Sequence, residues 1–145
     1  MTIGRICTRE VHLAEADETV AAAAERMLTR NVGSLVVLDE DRRPVGILTD
    51  RDLVIRVVAR RRDPEETLVR QAMTSHPSSV VESTPIEDAL ADMRRLGVRR
   101  LLVVGADRRL VGLVSIDDVL ALLVEEIRSL GEIVGSSAPG GALAV

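Results

Sequence analysis

The chain contains no phenylalanine, tyrosine or tryptophan among its 145 residues. Proteins that hold single-stranded nucleic acid commonly stack its bases on such rings, so that mode of binding is excluded. Lysine is absent as well, because all 19 basic residues are arginine. This excludes Schiff-base lysine chemistry and any phosphate-binding loop that depends on a lysine. A net charge of −4 also disfavours a nucleic-acid partner, which requires a positive field.

Cysteine and long apolar runs are scarce. Cys7 is the only cysteine, which excludes an internal disulfide and favours a reducing, cytoplasmic location. The longest apolar run, Val119 to Val124, is far shorter than the roughly 20 residues that span a bilayer, so no membrane partner is expected. The N-terminus has no cationic segment followed by an apolar stretch, so no secretion signal is expected either.

The most informative feature of the sequence is an internal repeat. Residues 3–58 align with residues 69–124 without a gap. Thirteen of the 56 aligned pairs are identical, and nine of these lie between positions 32 and 52. A repeat of this size indicates two copies of one supersecondary unit, each too small to bury its apolar face well alone. We therefore expect one body with a pseudo-twofold axis and paired clefts.

Each copy shows the pattern of a β-α-β-β-α unit, which predicts an α+β fold. The first helix follows Asp17 and ends near Arg30, and its counterpart is expected to start with Thr84 as N-cap. Near-continuous Val, Leu and Ile runs predict hairpin strands buried on both faces. The predicted hairpins are 34–39 with 44–48 and 100–104 with 110–114, and the closing helices are 50–59 and 116–130, the latter ending at Gly131.

These elements predict two units and their connections. The predicted bounds are 3–62 for unit one, 63–68 for a linker that starts as a helix, 69–130 for unit two and 131–145 for a flexible tail. The tail is rich in small residues and offers little apolar surface to bury.

One motif occurs at the end of both hairpins. It reads Gly46-Ile-Leu-Thr49-Asp-Arg-Asp52 in the first copy and Gly112-Leu-Val-Ser115-Ile-Asp-Asp118 in the second. A strand there runs into a helix N-terminus, with a hydroxyl residue at the cap and an aspartate in the first turn. Each pair could be a helix cap only, worth about 0.5–2 kcal/mol. Recurrence of the motif in facing clefts favours a ligand site instead.

These segments resemble the Gly-hydrophobic-hydrophobic-Thr/Ser-x-x-Asp signature of cystathionine-β-synthase (CBS) domains. The element order, the pairing of two units and the Met73-Thr74 step before the second unit fit as well. The resemblance extends from Ile3 to about Leu130. It implies a tandem CBS pair, or Bateman module, whose two sheets pack together and whose clefts bind adenosine-type ligands.

The resemblance also implies roles for individual residues. Asp52 and Asp118 would hold ribose hydroxyls, and Thr49 and Ser115 would assist with ribose or phosphate. A carboxylate accepts hydrogen bonds from ribose hydroxyls but repels a phosphate, which requires amide groups or arginines. The implied ligand is AMP, ADP, ATP or S-adenosylmethionine, and no cofactor or metal is required.

The two copies differ where the family often places a basic residue near ligand phosphates. The second copy has Arg99 and Arg100 there, whereas the first has Gly33 and Ser34. The resemblance thus assigns phosphate recognition to the two arginines and predicts unequal clefts. The alternative is that both arginines lie on a solvated strand edge. The first copy also has Cys7 where the family usually has methionine.

The predicted function is that of a non-catalytic regulatory or sensor module that binds an adenosyl ligand and acts in trans on an unidentified protein. The alternative is a ligand-free dimerisation or interaction module with vestigial clefts. Cys7, His12 and His76 lack the spacing of a catalytic or metal-binding set. A homodimer is expected to form through the apolar sides of the closing helices, at Leu53, Val54, Val57, Leu120, Leu123 and Val124.

Overall fold

The structure, a computed structural model, describes residues 1–136 as an α+β fold with two three-stranded sheets. The first unit contains α1 (Val20–Arg30), β1 (Ser34–Leu38), β2 (Pro44–Thr49) and α2 (Asp50–Asp52), which continues as a π-helix over Leu53–Val58. Two short elements connect the units, α3 (Val69–Ala72) and β3 (Thr74–Ser75). The second unit contains β4 (Ser79–Val81), α4 (Ile86–Leu96), β5 (Arg100–Val104), β6 (Leu110–Ser115) and α5 (Ile116–Ser136).

The predicted β-α-β-β-α order is complete in the second unit only. In the first unit the opening strand is reduced to an isolated parallel bridge between Leu13 and Val36. Both predicted hairpins are present, since β1 pairs with β2 and β5 pairs with β6 in antiparallel register. Each turn has an arginine in the left-handed region, Arg42 and Arg108. The three central residues of β1 and of β5 are buried, as the apolar runs predicted.

The starts of α1 and α4 differ because of a contact that the sequence does not reveal. Thr19 caps α1, and its side chain accepts a hydrogen bond from Ala22 N. The prediction of Thr84 as the N-cap of α4 is wrong, because Pro85 occupies that position without a side-chain cap. Thr84 O instead accepts a hydrogen bond from Ile3 N at 2.9 Å. The N-terminal segment therefore packs against the start of α4.

The opening segments of the two units are exchanged. Ile3, in a short 3-10 turn, is fully buried in the core of the second unit, whereas Val69 and Ala72 are buried in the core of the first. Thr8 forms an antiparallel bridge with Leu113 of β6. In the same way β3 pairs with β2. Separating the units would therefore expose part of both cores.

The two sheets pack with one face towards their own helices and the other towards the partner unit. Leu35 and Leu101 belong to the separate helix-side cores. Val36 and Leu102 point to the opposite face of their sheets and are equally buried. This agrees with the predicted packing of sheet on sheet.

Three other predictions require correction. Gly131 does not end α5, which continues to Ser136, because a single glycine costs a helix only about 1 kcal/mol. The linker forms a turn rather than a helix, with Thr67 N and Glu66 N both bonded to Asp63 O. Val57 is 2% exposed and belongs to the core rather than to an interface. The wider π-helical turn shifts the side chains that follow it, and the aligned Leu123 in regular α5 is 50% exposed.

The predicted flexible tail, 131–145, is helical up to Ser136, and the rest of it lies outside the described residues. Within residues 1–136, no helix has both the length and the apolar content needed to cross a membrane.

An ion pair beside α1 gives the fold a predictable dependence on pH. Arg26 donates to both oxygens of Glu18, at 2.5 and 2.8 Å. These bonds lower the pKa of the Glu18 carboxyl below its usual value, against the opposing effect of burial. A lowered folded-state pKa adds stability above the unfolded-state pKa, and this stability is lost as the pH falls through the folded-state pKa.

We therefore expect Glu18→Gln to lower the free energy of unfolding by about 0.5–1 kcal/mol at pH 7, since the pair is partly solvent-exposed. The difference should shrink below about pH 4.5 and vanish once both forms are neutral. Urea unfolding followed by far-UV circular dichroism from pH 7 to 3 measures it. A difference that stays constant across this range would contradict the assignment.

Candidate functional site

The first signature motif forms a reciprocal cap at the start of α2. Asp52 N donates to Thr49 Oγ1 at 3.1 Å, and Thr49 N donates to Asp52 Oδ2 at 2.9 Å. The other carboxylate oxygen, Oδ1, lies 3.7 Å from Arg56 Nε. Both oxygens of Asp52 are thus engaged within its own unit.

Arg56 connects this cap to the segment that joins the units. Its guanidinium donates to Ala72 O at 2.9 Å and to Met73 O at 2.8 Å. A longer bond reaches Thr74 Oγ1 at 3.3 Å. The aligned residue in the second unit is Leu122, so this tie exists on one side of the pseudo-twofold axis only. The sequence comparison overlooked Arg56 because its contacts are distant in the chain.

The second signature motif has a related but more open geometry. Asp118 Oδ2 accepts hydrogen bonds from Ser115 N and Ser115 Oγ, both at 2.7 Å. Asp118 N donates back to Ser115 Oγ at 3.2 Å. Within residues 1–136, Asp118 Oδ1 has no hydrogen-bond or ion-pair partner, so this oxygen is available to a ligand.

The strand starts opposite these caps are set by left-handed residues at the ends of α1 and α4. Asn31 has a φ of 52° and Gly97 a φ of 66°, the conformation that ends a helix and redirects the chain. The chain then enters β1 through Gly33 and β5 through Arg99. The carbonyl oxygens of these two residues accept hydrogen bonds from Asp50 N and Ile116 N, each at 3.0 Å. In each unit, the helix that follows the hairpin is thereby tied at its start to the residue just before the first strand of that hairpin.

The first cavity has a volume of about 380 Å³ and lies between the two units. Thr49 and Ile47 from the first unit line one side, and Leu102 from the second unit lines the other. Arg99 and Arg100 also line it, together with the segment from Thr74 to Ser78, which includes His76. Of the predicted site residues, Thr49, Arg99 and Arg100 line this cavity, whereas Asp52 does not.

The second cavity is related to the first by the pseudo-twofold axis and has a volume of about 220 Å³. Ser115 and Asp118 of the second unit line it, opposite Gly33 and Ser34 of the first. The segment from Thr8 to His12, which includes Glu10, forms a further wall. Arg100 reaches this cavity as well. Each cavity thus combines the signature hydroxyl of one unit with the strand start of the other.

The two cavities differ in charge. Arg51, Arg99 and Arg100 line the first, and within residues 1–136 no carboxylate does. Among the described residues of the second cavity, Glu10 and Asp118 oppose a single guanidinium, that of Arg100. Asp117 lies 3.8 Å from Arg99, but both side chains are more than 70% exposed, so water screens this pair. The first cavity therefore suits an anion better than the second does.

The structure brings five of the six predicted site residues to the cavities: Thr49, Arg99, Arg100, Ser115 and Asp118. Sequence reasoning did not assign Arg51, Glu10 or His76 to the site. Glu10 and His76 occupy equivalent positions in the repeat, 66 residues apart. Both follow by two residues a threonine that is identical in the two copies, Thr8 and Thr74, and this repeated position was a usable signal for equivalent walls of the two cavities.

Cys7 packs against the core of the second unit and is poorly suited to act as a nucleophile. Burial raises the pKa of its thiol above the usual value, although Arg9 opposes the shift. The thiol therefore stays protonated near neutral pH. Within residues 1–136, no three His, Cys, Asp or Glu side chains form a group that could hold a metal ion.

Comparison with known proteins identifies the class. The CBS domain family model matches residues 3–59 and again residues 69–125, so the chain belongs to the CBS domain family and carries two such domains in tandem. An uncharacterized protein of Methanopyrus kandleri, MK0525, is 32% identical over 139 residues, which cover 91% of this chain and 71% of that protein.

Solved structures of similar proteins include complexes with a nucleotide. The CBS domain protein PAE2072 from Pyrobaculum aerophilum, complexed with AMP, superposes with a TM-score of 0.75 at 28% identity, covering 86% of this chain and 97% of that one. CBSX2 in complex with AMP gives a TM-score of 0.74 at 25% identity, covering 86% and 97%. These similarities show the fold and the family of this chain.

Proposed function

We propose that this protein is a non-catalytic regulatory module that binds an adenine nucleotide, with its phosphate in the first cavity. The observation that carries the proposal is the lining of that cavity by three arginines, Thr49 and apolar side chains from both units. Its volume of about 380 Å³ falls in the usual range of small-molecule sites. The AMP complexes of similar CBS proteins support the choice of ligand.

Each part of an adenine nucleotide has a suitable partner in this arrangement. The guanidinium groups of Arg99 and Arg100 offer paired donors to a phosphate. The apolar walls, Ile47, Leu102 and Leu113, suit the face of a purine base. Thr49 lines the same cavity and would serve the ribose of that nucleotide. The second cavity would offer a separate nucleoside a ribose acceptor in Asp118, and its Glu10 disfavours a phosphate.

Regulation would follow from the position of the cavities between the units. A ligand that contacts Thr49 and Arg99 at once favours the arrangement in which the two units are closed against each other. Such a ligand shifts the population towards the closed arrangement, to the extent that it binds this arrangement more tightly than a more open one. The proposed output is a change of surface recognised by a partner protein. Two features favour binding without catalysis: the signature hydroxyls are held in helix caps, and the Cys7 thiol stays protonated.

The absorbance spectrum of the purified protein tests the proposal directly. Without tryptophan or tyrosine the chain absorbs little at 280 nm, so a peak near 260 nm would come from bound nucleotide. Extraction and mass spectrometry would identify it. If no peak appears and titration with AMP, ADP, ATP and S-adenosylmethionine gives no heat, the alternative of a ligand-free interaction module is supported.

Asp118→Asn should weaken adenosine binding in the second cavity. Losing a charge-assisted hydrogen bond to a ribose hydroxyl costs about 1.5–3 kcal/mol, which is a tenfold to hundredfold loss of affinity. Asp52→Asn is the matched control, because the Asp52 carboxylate is already occupied by Thr49 N and Arg56. Titration calorimetry measures both variants. Equal and small losses of affinity in the two variants would mean that both aspartates serve only as helix caps.

The proposal includes assembly as a homodimer through the closing helices. Val54 and Val58 on the π-helical part of α2, and several residues of α5, are large apolar side chains that are half exposed or more. Contiguous apolar surface of this kind usually marks an interface. Leu53 and Val57, which were predicted there, pack instead against the core of the first unit.

A further inference from the structure

The apolar surface of α5 is a regular stripe that continues past residue 124, where the sequence repeat ends. Five residues along it are each at least 50% exposed: Leu120, Leu123, Ile127, Leu130 and Val134. Their spacing alternates between three and four residues, which is the heptad pattern of helices that pack along a common seam. Glu125, Arg128 and Glu132 occupy the opposite side. The helix is thus amphipathic, although Val119 is its only fully buried residue among those described.

Most of this stripe has no counterpart in the first unit. The helix that aligns with α5 ends at Val58, which corresponds to Val124. The family model likewise ends at residue 125. Ile127, Leu130 and Val134 therefore belong to an extension that is particular to the second unit of this chain.

We infer that α5 pairs with α5 of a second copy, so that the dimer joins second unit to second unit. This deepens the homodimer proposed above and rests on it. Length decides between the available partners. The stripe from Leu120 to Val134 is about 21 Å long at 1.5 Å per residue, whereas the exposed stretch from Val54 to Val58 is about 6 Å long. The helix of the first unit can cover only a third of the stripe, and a second α5 can cover all of it.

The seam is also self-complementary in chemistry. It contains leucine, isoleucine and valine and no charged residue, so packing it against its own copy buries no unpaired charge. Isoleucine and leucine at alternating seam positions are the residues that pair helices of this kind. A twofold axis presents the same surface on both copies, which is the usual geometry of a dimer.

The single native cysteine allows a direct test by disulfide formation. In a Cys7→Ala background, Ile127→Cys places one thiol at the middle of the stripe. In a symmetric pair that overlaps along its whole length, the middle residue faces its own copy whether the helices run parallel or antiparallel. We expect most of this variant to form a disulfide-linked dimer under mild oxidation at micromolar concentration. Glu125→Cys, on the opposite side of α5, is the matched control and should stay unlinked.

The alternative pairing is tested by mixing two variants that carry their single cysteine at different positions. If the first unit of one copy contacts the second unit of the other, Val58→Cys will link to Ile127→Cys and the latter will not link to itself. That outcome would overturn the inference and leave the homodimer standing. A monomer mass in light scattering of the unmodified protein would instead contradict the homodimer itself.

A charged substitution in the seam gives an independent measure. Ile127→Asp should change the light-scattering mass from dimer to monomer, and far-UV circular dichroism should remain that of the folded protein, because the side chain is exposed. AMP binding measured on the same sample shows separately whether the nucleotide proposal holds. A dimer that persists with Ile127→Asp would contradict the pairing of α5 with α5.

Discussion

Replacing Arg99 and Arg100 together with alanine should weaken AMP binding about a hundredfold or more, while adenosine binding falls by less than about threefold. Each lost charge-assisted hydrogen bond to phosphate costs about 1.5–3 kcal/mol, and two guanidinium groups are removed. Adenosine has no phosphate, so it loses only apolar contact. Competition titrations with the two ligands on one protein preparation give the ratio.

Salt provides a second signature of the same contacts. Screening weakens the attraction between guanidinium and phosphate, so AMP affinity of the unmodified protein should fall as ionic strength rises, and this dependence should be smaller in the double variant. Arg94→Ala with Arg95→Ala is the matched control, since it removes equal charge from the end of α4 without touching either cavity. Equal losses for AMP and adenosine would mean that Arg99 and Arg100 support the strand rather than the ligand.

Gly112→Ala should destabilise the protein by about 1–3 kcal/mol, the usual cost of overpacking a closely fitted site. A Cβ at this position would lie 2.6 Å from Thr8 O and 3.0 Å from Cys7 Sγ. Thr8 is held on β6 by two backbone hydrogen bonds to Leu113, each 2.9 Å long. The added methyl group would therefore push the exchanged N-terminal segment off the second sheet.

The equivalent glycine provides the control for this prediction. A Cβ on Gly46 would meet the Sδ and Cε of Met73, the end of a flexible side chain that can move aside. Gly46→Ala should thus cost clearly less than Gly112→Ala in urea unfolding followed by circular dichroism. A larger loss for Gly46→Ala would mean that the Thr8 segment yields more easily than this geometry implies.

The sequence alone determined the features that depend on neighbouring residues and on the repeat. Near-continuous apolar runs mark both hairpins, and capping and turn residues mark the ends of the helices and strands to within one or two residues. The signature at Thr49 and Ser115 identified the family, and the family model confirms it. These predictions succeed because helix caps, tight turns and strand pairing within a hairpin involve residues close in the chain.

The tertiary structure alone decided which parts of the two units meet. The exchange of opening segments places Ile3 in the core of the second unit, beside the start of α4, whose N-cap is Pro85 rather than the predicted Thr84. The same crossing brings Arg99 into a cavity with Thr49 rather than with its own unit's Ser115. Such contacts join residues tens of positions apart, and local propensity does not encode them.

Burial on the closing helices was likewise decided by packing. Val57 and Leu123 align in the repeat, yet the π-helical turn places Val57 in the core while Leu123 stays exposed on a regular helix. Gly131 lacks the intrinsic propensity to continue a helix, but its cost of about 1 kcal/mol is small enough for the flanking residues of α5 to offset. The sequence reports the helix propensity and the polarity of each residue. Which side chains are buried and where a helix ends depend also on what the folded chain packs against them.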